Sequence, residues 1–181
     1  MQAITDTKHL TVQTLPPILV LTGEDVGQFE WLKKDILKKI GYDPSDLNYS
    51  YFDMKEASYA EVELDLVSLP FFADEKIVIL DHLLDLTTAK KRNLTDEDLK
   101  QFENYLENPS ESTRLVIFAE GKLDSKRRLV KLLKRDAQII EATTPKEQDL
   151  KRYFASQAQE LGLQFVGDSL DQLLLKSGYD F

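Results

Sequence analysis

Short apolar runs that recur along the chain, each followed by a stretch of helical period, constrain the fold more than any other feature. Pro17-Ile18-Leu19-Val20-Leu21, Ile77-Val78-Ile79-Leu80 and Leu115-Val116-Ile117-Phe118 carry no polar residue and are too short for a core helix. Such runs read as strands buried on both faces, the kind found in parallel sheets covered by helices. Between them the period changes. Val26, Phe29, Leu32, Ile36, Leu37 and Ile40 recur at helical spacing before Gly41, a stop signal. Leu47, Tyr49 and Tyr51 alternate as in a strand, and Ser58 with Glu61 predicts a capping box for a helix whose inward stripe is Val62, Leu66 and Leu69. Thr95 and Asp98 are placed to cap a helix carrying Leu99, Phe102, Tyr105 and Leu106, which Asn108-Pro109 ends. A helix around Leu129, Leu132 and Leu133 and a fifth strand at Gln138-Ile139-Ile140 complete the series. Alternation at this spacing predicts right-handed crossovers and a doubly wound, mainly parallel five-stranded α/β sheet with helices on both faces.

The character changes at Ala142-Thr143-Thr144-Pro145, where Thr144 suits an N-cap, Pro145 the first helical residue and Glu147 the third. Beyond this point the pattern is helical only. Leu150, Tyr153, Phe154, Ala158 and Leu161 make one apolar face before Gly162, and Leu170, Leu173 and Leu174 make another before Gly178. Two helices are too few to close a core. The expected division is therefore an α/β domain over 1–142 and, over 143–181, the start of an all-helical domain that the chain cuts short.

Charge and composition narrow the chemistry. With 32 acidic against 23 basic residues the net charge is -9, which disfavours nonspecific attraction of the whole chain to nucleic acid or anionic lipid. No cysteine is present, which removes disulfides and thiolate metal sites and suits a cytoplasmic protein. His9 and His82 stand apart from any acidic pattern of metal spacing, so a polar surface role is expected and no metal site. No run approaches the ~18 apolar residues of a membrane span, and the opening residues lack a secretory pattern, so no membrane partner is expected.

The loop after the first strand is where an α/β protein would bind phosphate. This chain has Gly23-Glu24-Asp25-Val26-Gly27 there, two carboxylates and no lysine, which argues against a nucleotide site. A second reading gathers Glu24, Asp25, Asp81 and Lys122 into an acidic magnesium pocket of a receiver-like phosphoacceptor, since ligands collect at the carboxyl ends of strands. The simpler reading has these carboxylates capping the helices that come next, worth about 0.5–2 kcal/mol each. Lys122, Lys126, Arg127, Arg128, Lys131, Lys134 and Arg135 concentrate positive charge on one helix and its approach. They could meet DNA phosphates or a neighbouring subunit, or form a solvated face around the Leu129, Leu132 and Leu133 stripe. No Gly-x-Ser-x-Gly or comparable nucleophile motif appears, and no catalytic residue or cofactor is expected.

One segment resists the ordinary rules for a connection. Ser68-Leu69-Pro70-Phe71-Phe72-Ala73-Asp74-Glu75-Lys76 joins a helix to a buried strand, yet carries two adjacent phenylalanines where a turn is normally polar. Pro70 ends the helix early and sets the direction of the next residues. Leu69, Pro70, Phe71 and Phe72 thus form either part of the core or an exposed anchor for a hydrophobic pocket on a partner.

Several stretches, taken in order and spacing, make the chain resemble the delta-subunit family of bacterial DNA polymerase III, the clamp-loader subunit that opens the sliding clamp. They are Val20-Leu21-Thr22-Gly23-Glu24-Asp25, the Ser68 to Lys76 segment, Tyr105-Leu106-Glu107-Asn108-Pro109 with Leu115-Val116-Ile117, and Ala158-Gln159-Glu160-Leu161-Gly162-Leu163. The resemblance runs from about Ile18 onward and leaves residues 1–15 outside it. It implies an AAA+-like first domain without a functional P-loop, a helical lid domain and a C-terminal collar domain lying outside this sequence. It also implies a noncatalytic subunit of a nucleotidyltransferase complex. The family's clamp-entering Leu-Phe pair corresponds to Phe71 and Phe72, with phenylalanine in place of the usual leucine, and Leu69 supports them. The implied partners are the sliding clamp (beta subunit), the ATP-hydrolysing gamma/tau subunits, delta prime and, through the complex, primer-template DNA.

Overall fold

The structure, a computed structural model, describes residues 7–70, 74–143 and 155. Its sheet is five-stranded, in the order β2-β3-β4-β1-β5, and every pairing is parallel. The strands are β1 (Ile18–Gly23), β2 (Tyr49–Asp53), β3 (Lys76–Asp81), β4 (Thr113–Glu120) and β5 (Gln138–Ala142). They alternate with α1 (Val26–Lys39), α2 (Tyr59–Val67), α3 (Asp96–Glu107) and α4 (Arg128–Asp136), and a 3-10 turn lies after β3 at Leu84–Leu86.

The pleat sorts the apolar runs onto two faces, because successive strand residues point to opposite sides. Ile18, Val20, Val78, Leu80, Leu115 and Ile117 pack with Val62, Leu66, Phe102, Leu106 and Leu129 beneath α2, α3 and α4. Leu19, Leu21, Ile77, Ile79, Val116 and Phe118 pack with Phe29, Leu32 and Ile36 of α1 on the other face. Among the described residues the α1 face has a single helix, and it takes extra cover from the N-terminal arm. Leu10 and Leu15 are buried there, and Lys39 Nζ donates to the Thr7 carbonyl at 2.6 Å.

The caps expected for α2 and α3 form, while the one expected at Thr144 lies outside the described residues. Ser58 and Glu61 exchange the two hydrogen bonds of a capping box at α2, and Thr95 and Asp98 do so at α3. After α1, Gly41 adopts φ 71°, and Tyr42 N–H reaches back to the Leu37 carbonyl at 3.0 Å, closing the helix end. Three apolar positions lie elsewhere than their periodicity suggests. Val26 opens α1 and is exposed; Leu47 precedes β2, in a turn held by Asp46, and is 63% exposed; Leu69 lies beyond the end of α2 and is 78% exposed. Each sits at or past the end of its element, where the period no longer sets direction. The expected helices beyond Thr143 lie outside the described residues.

Candidate functional site

Two regions of the sheet carry the residues that the sequence singles out. The first is the crevice at the carboxyl ends of the strands, the ordinary ligand site of an open α/β sheet. It is closed by backbone. Gly23 N–H donates to the Gly121 carbonyl at 2.9 Å, Gly121 N–H returns a bond to Gly23 at 2.7 Å, and Thr22 Oγ1 donates to the same Gly121 oxygen at 3.0 Å. Gly23 has φ 127°, and a Cβ there would stand 2.1 Å from the Ala142 carbonyl oxygen, so only glycine lets β1 and β5 close on each other. Two residues later Asp25 is the N-cap of α1 and accepts from Gln28 N–H at 2.9 Å. The amide that an anion would seek already has an internal acceptor.

The acidic residues do not gather. β4 lies between β1 and β3, which separates Asp25 from Asp81. Asp81 is 3% exposed and faces inward: Lys33 Nζ lies 2.6 Å from its Oδ2, Tyr51 donates its hydroxyl to the same oxygen, and His82 N–H donates to Oδ1 at 2.8 Å. Burial, and then the hydrogen bond to Asp81, push the Tyr51 phenol well above its ordinary range, so it stays a donor. Glu24 and Lys122 are exposed. Among the described residues no group of three or more histidines, cysteines and carboxylates is arranged to hold a metal ion. His82, solitary in sequence, has acidic neighbours in the fold: it adopts φ 57°, and its Nδ1 lies 2.9 Å from Asp53 Oδ1.

The basic run divides. α4 buries Leu129, Val130, Leu132 and Leu133, and four of the seven cations are engaged internally. Arg128 reaches Glu103 at 3.6 Å and Glu107 at 3.1 Å, Arg135 pairs with Asp136 at 2.8 Å, Arg127 with Asp124 at 3.3 Å, and Lys134 Nζ donates to Ser125 Oγ at 2.6 Å. Lys122, Lys126 and Lys131 are exposed. This is the solvated face of an amphipathic helix, partly tied to the acidic side of α3.

The second region lies at the opposite, amino edge of the sheet, where α2 ends. The helix stops at Val67, and Ser68 is its C-cap in extended conformation. Leu69 is 78% exposed beyond it, and Leu64 and Val67 on the preceding turn are 72% and 59% exposed, so apolar surface continues along α2 to its tip. Leu69 therefore leaves the inward stripe expected of it, while Val62 and Leu66 keep theirs. Pro70 is half-buried. Phe71 and Phe72 lie outside the described residues.

The base of this tip holds residues that the sequence reading passed over. Lys76 is 5% exposed at the start of β3; its Nζ donates to the Asp65 carbonyl and, at 2.6 Å, to Ser68 Oγ. Thr113, its register partner on β4, donates to the Leu66 carbonyl at 3.2 Å. Glu75 pairs with Arg114 at 2.5 Å, and that hydrogen bond holds its carboxyl below the usual glutamate range. The only available signal was a lysine at the head of an apolar run, and periodicity does not weigh a single charge.

No described helix is long and apolar enough to cross a membrane. The family described as "DNA polymerase III, delta subunit" matches residues 19–143. The chain is 30% identical over 137 residues to DNA polymerase III subunit delta of Bacillus subtilis, an alignment covering 75% of this chain and 40% of that protein. Its fold is similar to that of the Bacillus subtilis clamp loader delta protein, with TM-score 0.74 at 22% identity, covering 96% of this chain and 51% of the other. The fold is also similar to that of a DNA polymerase III gamma subunit-related protein of Thermotoga maritima, with TM-score 0.50 at 16% identity, covering 90% of this chain and 53% of that one. The chain thus spans about half the length, or less, of the relatives it matches. With most of the α/β sheet inside the matched stretch, the chain belongs to the DNA polymerase III delta subunit family.

Proposed function

We propose that this chain engages the sliding clamp through the tip beyond α2, with Phe71 and Phe72 entering a hydrophobic pocket and Leu69 and Pro70 forming the shoulder of the wedge. The observation that carries this reading is the outward apolar surface at the end of α2: Leu64 and Val67 near the helix end and Leu69 beyond it are all exposed, where a solitary domain would be polar. Apolar anchors at a helix end suit a pocket on a partner. Such a wedge acts by differential affinity. It binds the opened ring better than the closed one and shifts the population towards opening, with no bond made or broken.

A noncatalytic role fits the closed crevice at Gly23 and Gly121, where backbone hydrogen bonds and the Asp25 cap occupy the positions a phosphate would need. ATP would then be hydrolysed by gamma/tau-type sister subunits, in a complex that includes delta prime and reaches primer-template DNA. Residues 1–142 would form the clamp-engaging domain and 143–181 begin a helical lid. Lys122, Lys126 and Lys131 are the remaining candidates for contact with DNA or a sister subunit. Ring opening is tested directly by the release of cognate clamp from closed circular DNA. Added chain should accelerate release, and Phe71→Ala with Phe72→Ala should remove the acceleration. Release that is no faster with the chain than without it would overturn the proposal.

A further inference from the structure

Apart from the Ser68 hydroxyl, the last turn of α2 lacks the local devices that usually finish a helix. It has no basic residue, its C-cap Ser68 is extended, and Pro70 offers no N–H to the free carbonyls. Two of those carbonyls, of Asp65 and Leu66, are met by side chains from the sheet edge. The Lys76 ammonium approaches the Asp65 carbonyl at the negative end of the helix, with the Asp65 carboxylate 4.0 Å away, and Ser68 Oγ donates to the same carbonyl at 3.0 Å. Thr113 Oγ1 serves the Leu66 carbonyl. The bond from Lys76 Nζ to Ser68 Oγ also joins the two ends of the segment 69–75, and Lys76 N–H is held by the Ser112 carbonyl at 2.8 Å. The stem is thus closed by a part-buried, charge-assisted clasp anchored on Lys76.

We infer that Lys76, with Ser68 and Thr113, is a positioning residue that fixes the base of the 69–75 tip and thereby sets its affinity for the clamp without touching it. The inference rests on the reading of this tip as the clamp wedge. Fixing the base removes the ordering cost that a free loop would meet on binding, which is how preorganisation raises affinity.

The test titrates cognate sliding clamp into this chain at a temperature where every variant is folded by circular dichroism. Lys76→Met keeps the buried stem and deletes the ammonium; it should weaken binding ~10-fold, mostly through faster dissociation. Hydrogen exchange at the amides of 69 and 71–75 should rise in the same variant. Leu106→Ala, a core change far along the chain, serves as a match for lost stability and should leave affinity unchanged. Lys76→Arg should restore part of the loss. Equal affinities for Lys76→Met and the wild type would overturn the inference, as would an equal loss in Leu106→Ala. Phe71→Ala with Phe72→Ala separates the two ideas: if that variant binds normally, the wedge reading itself fails, whereas its loss beside a normal Lys76→Met removes the clasp alone.

Discussion

The two edges of the sheet handle their exposed ends in opposite ways. At the carboxyl edge, Gly23 and Gly121 bond to each other, Asp25 caps α1, and Asp81 is enclosed by Lys33, Tyr51 and the His82 amide. At the amino edge, Lys76 and Thr113 turn their polar groups inward to the end of α2, and the apolar Leu64, Val67 and Leu69 are left facing out. In most open α/β sheets the first edge would take the ligand. Here the polar groups there are matched to one another, and among the described residues the exposed apolar surface lies at the second. An inherited fold therefore says little about which edge works; the satisfied and unsatisfied groups say more.

Breaking the closed edge should have the largest effect. Gly23→Ala puts a methyl group against the Ala142 backbone at a φ that L-residues avoid, and the expected outcome is loss of at least about 4 kcal/mol in urea unfolding, or failure to fold. Lys33→Met comes next, because it leaves the Asp81 carboxylate buried without its cation. It should cost about 3 kcal/mol, and the double variant Lys33→Met with Asp81→Asn should recover much of that. Recovery in the double variant is the sharper readout, since a packing defect at Lys33 would not be relieved by Asp81→Asn.

The open edge should answer differently. Leu69→Ser removes an exposed side chain and should change stability by no more than about 0.5 kcal/mol, while weakening clamp binding. If Leu69→Ser unfolds the chain, the tip belongs to the core and the contrast between the edges collapses. The smallest effect concerns pH. The Arg114 hydrogen bond holds Glu75 below its ordinary value, so its contribution is present at neutral pH and is lost as pH falls through the lowered folded value. Glu75→Gln should flatten the acid limb of the stability profile slightly, as befits an exposed pair.

Much of the fold was legible because its signals are local. Uninterrupted apolar runs mark β1, β3 and β4 whatever packs on them, and the Ser58/Glu61 and Thr95/Asp98 pairs act within one helical turn. The errors arise where an element ends. Leu47 and Leu69 extend a periodic pattern by one step too many, and both are exposed because the chain has not yet entered its strand at the first and has already left its helix at the second. The proposed site was marked by composition alone: two phenylalanines in a connection are conspicuous. Its support was not, because the contacts from Lys76 to Ser68 and Thr113 to Leu66 depend on β3 lying beside β4 and both lying under the end of α2. The closure between Gly23 and Gly121 is equally invisible, joining strand ends far apart in sequence.

Whether the open edge meets the clamp through the α2 tip is decided by a calorimetric titration. Cognate sliding clamp is titrated into the wild-type chain and into Phe71→Ala with Phe72→Ala, both folded and equally stable. Saturable binding to the first and no measurable heat with the second are expected; the same affinity for both would refute a clamp contact at the tip.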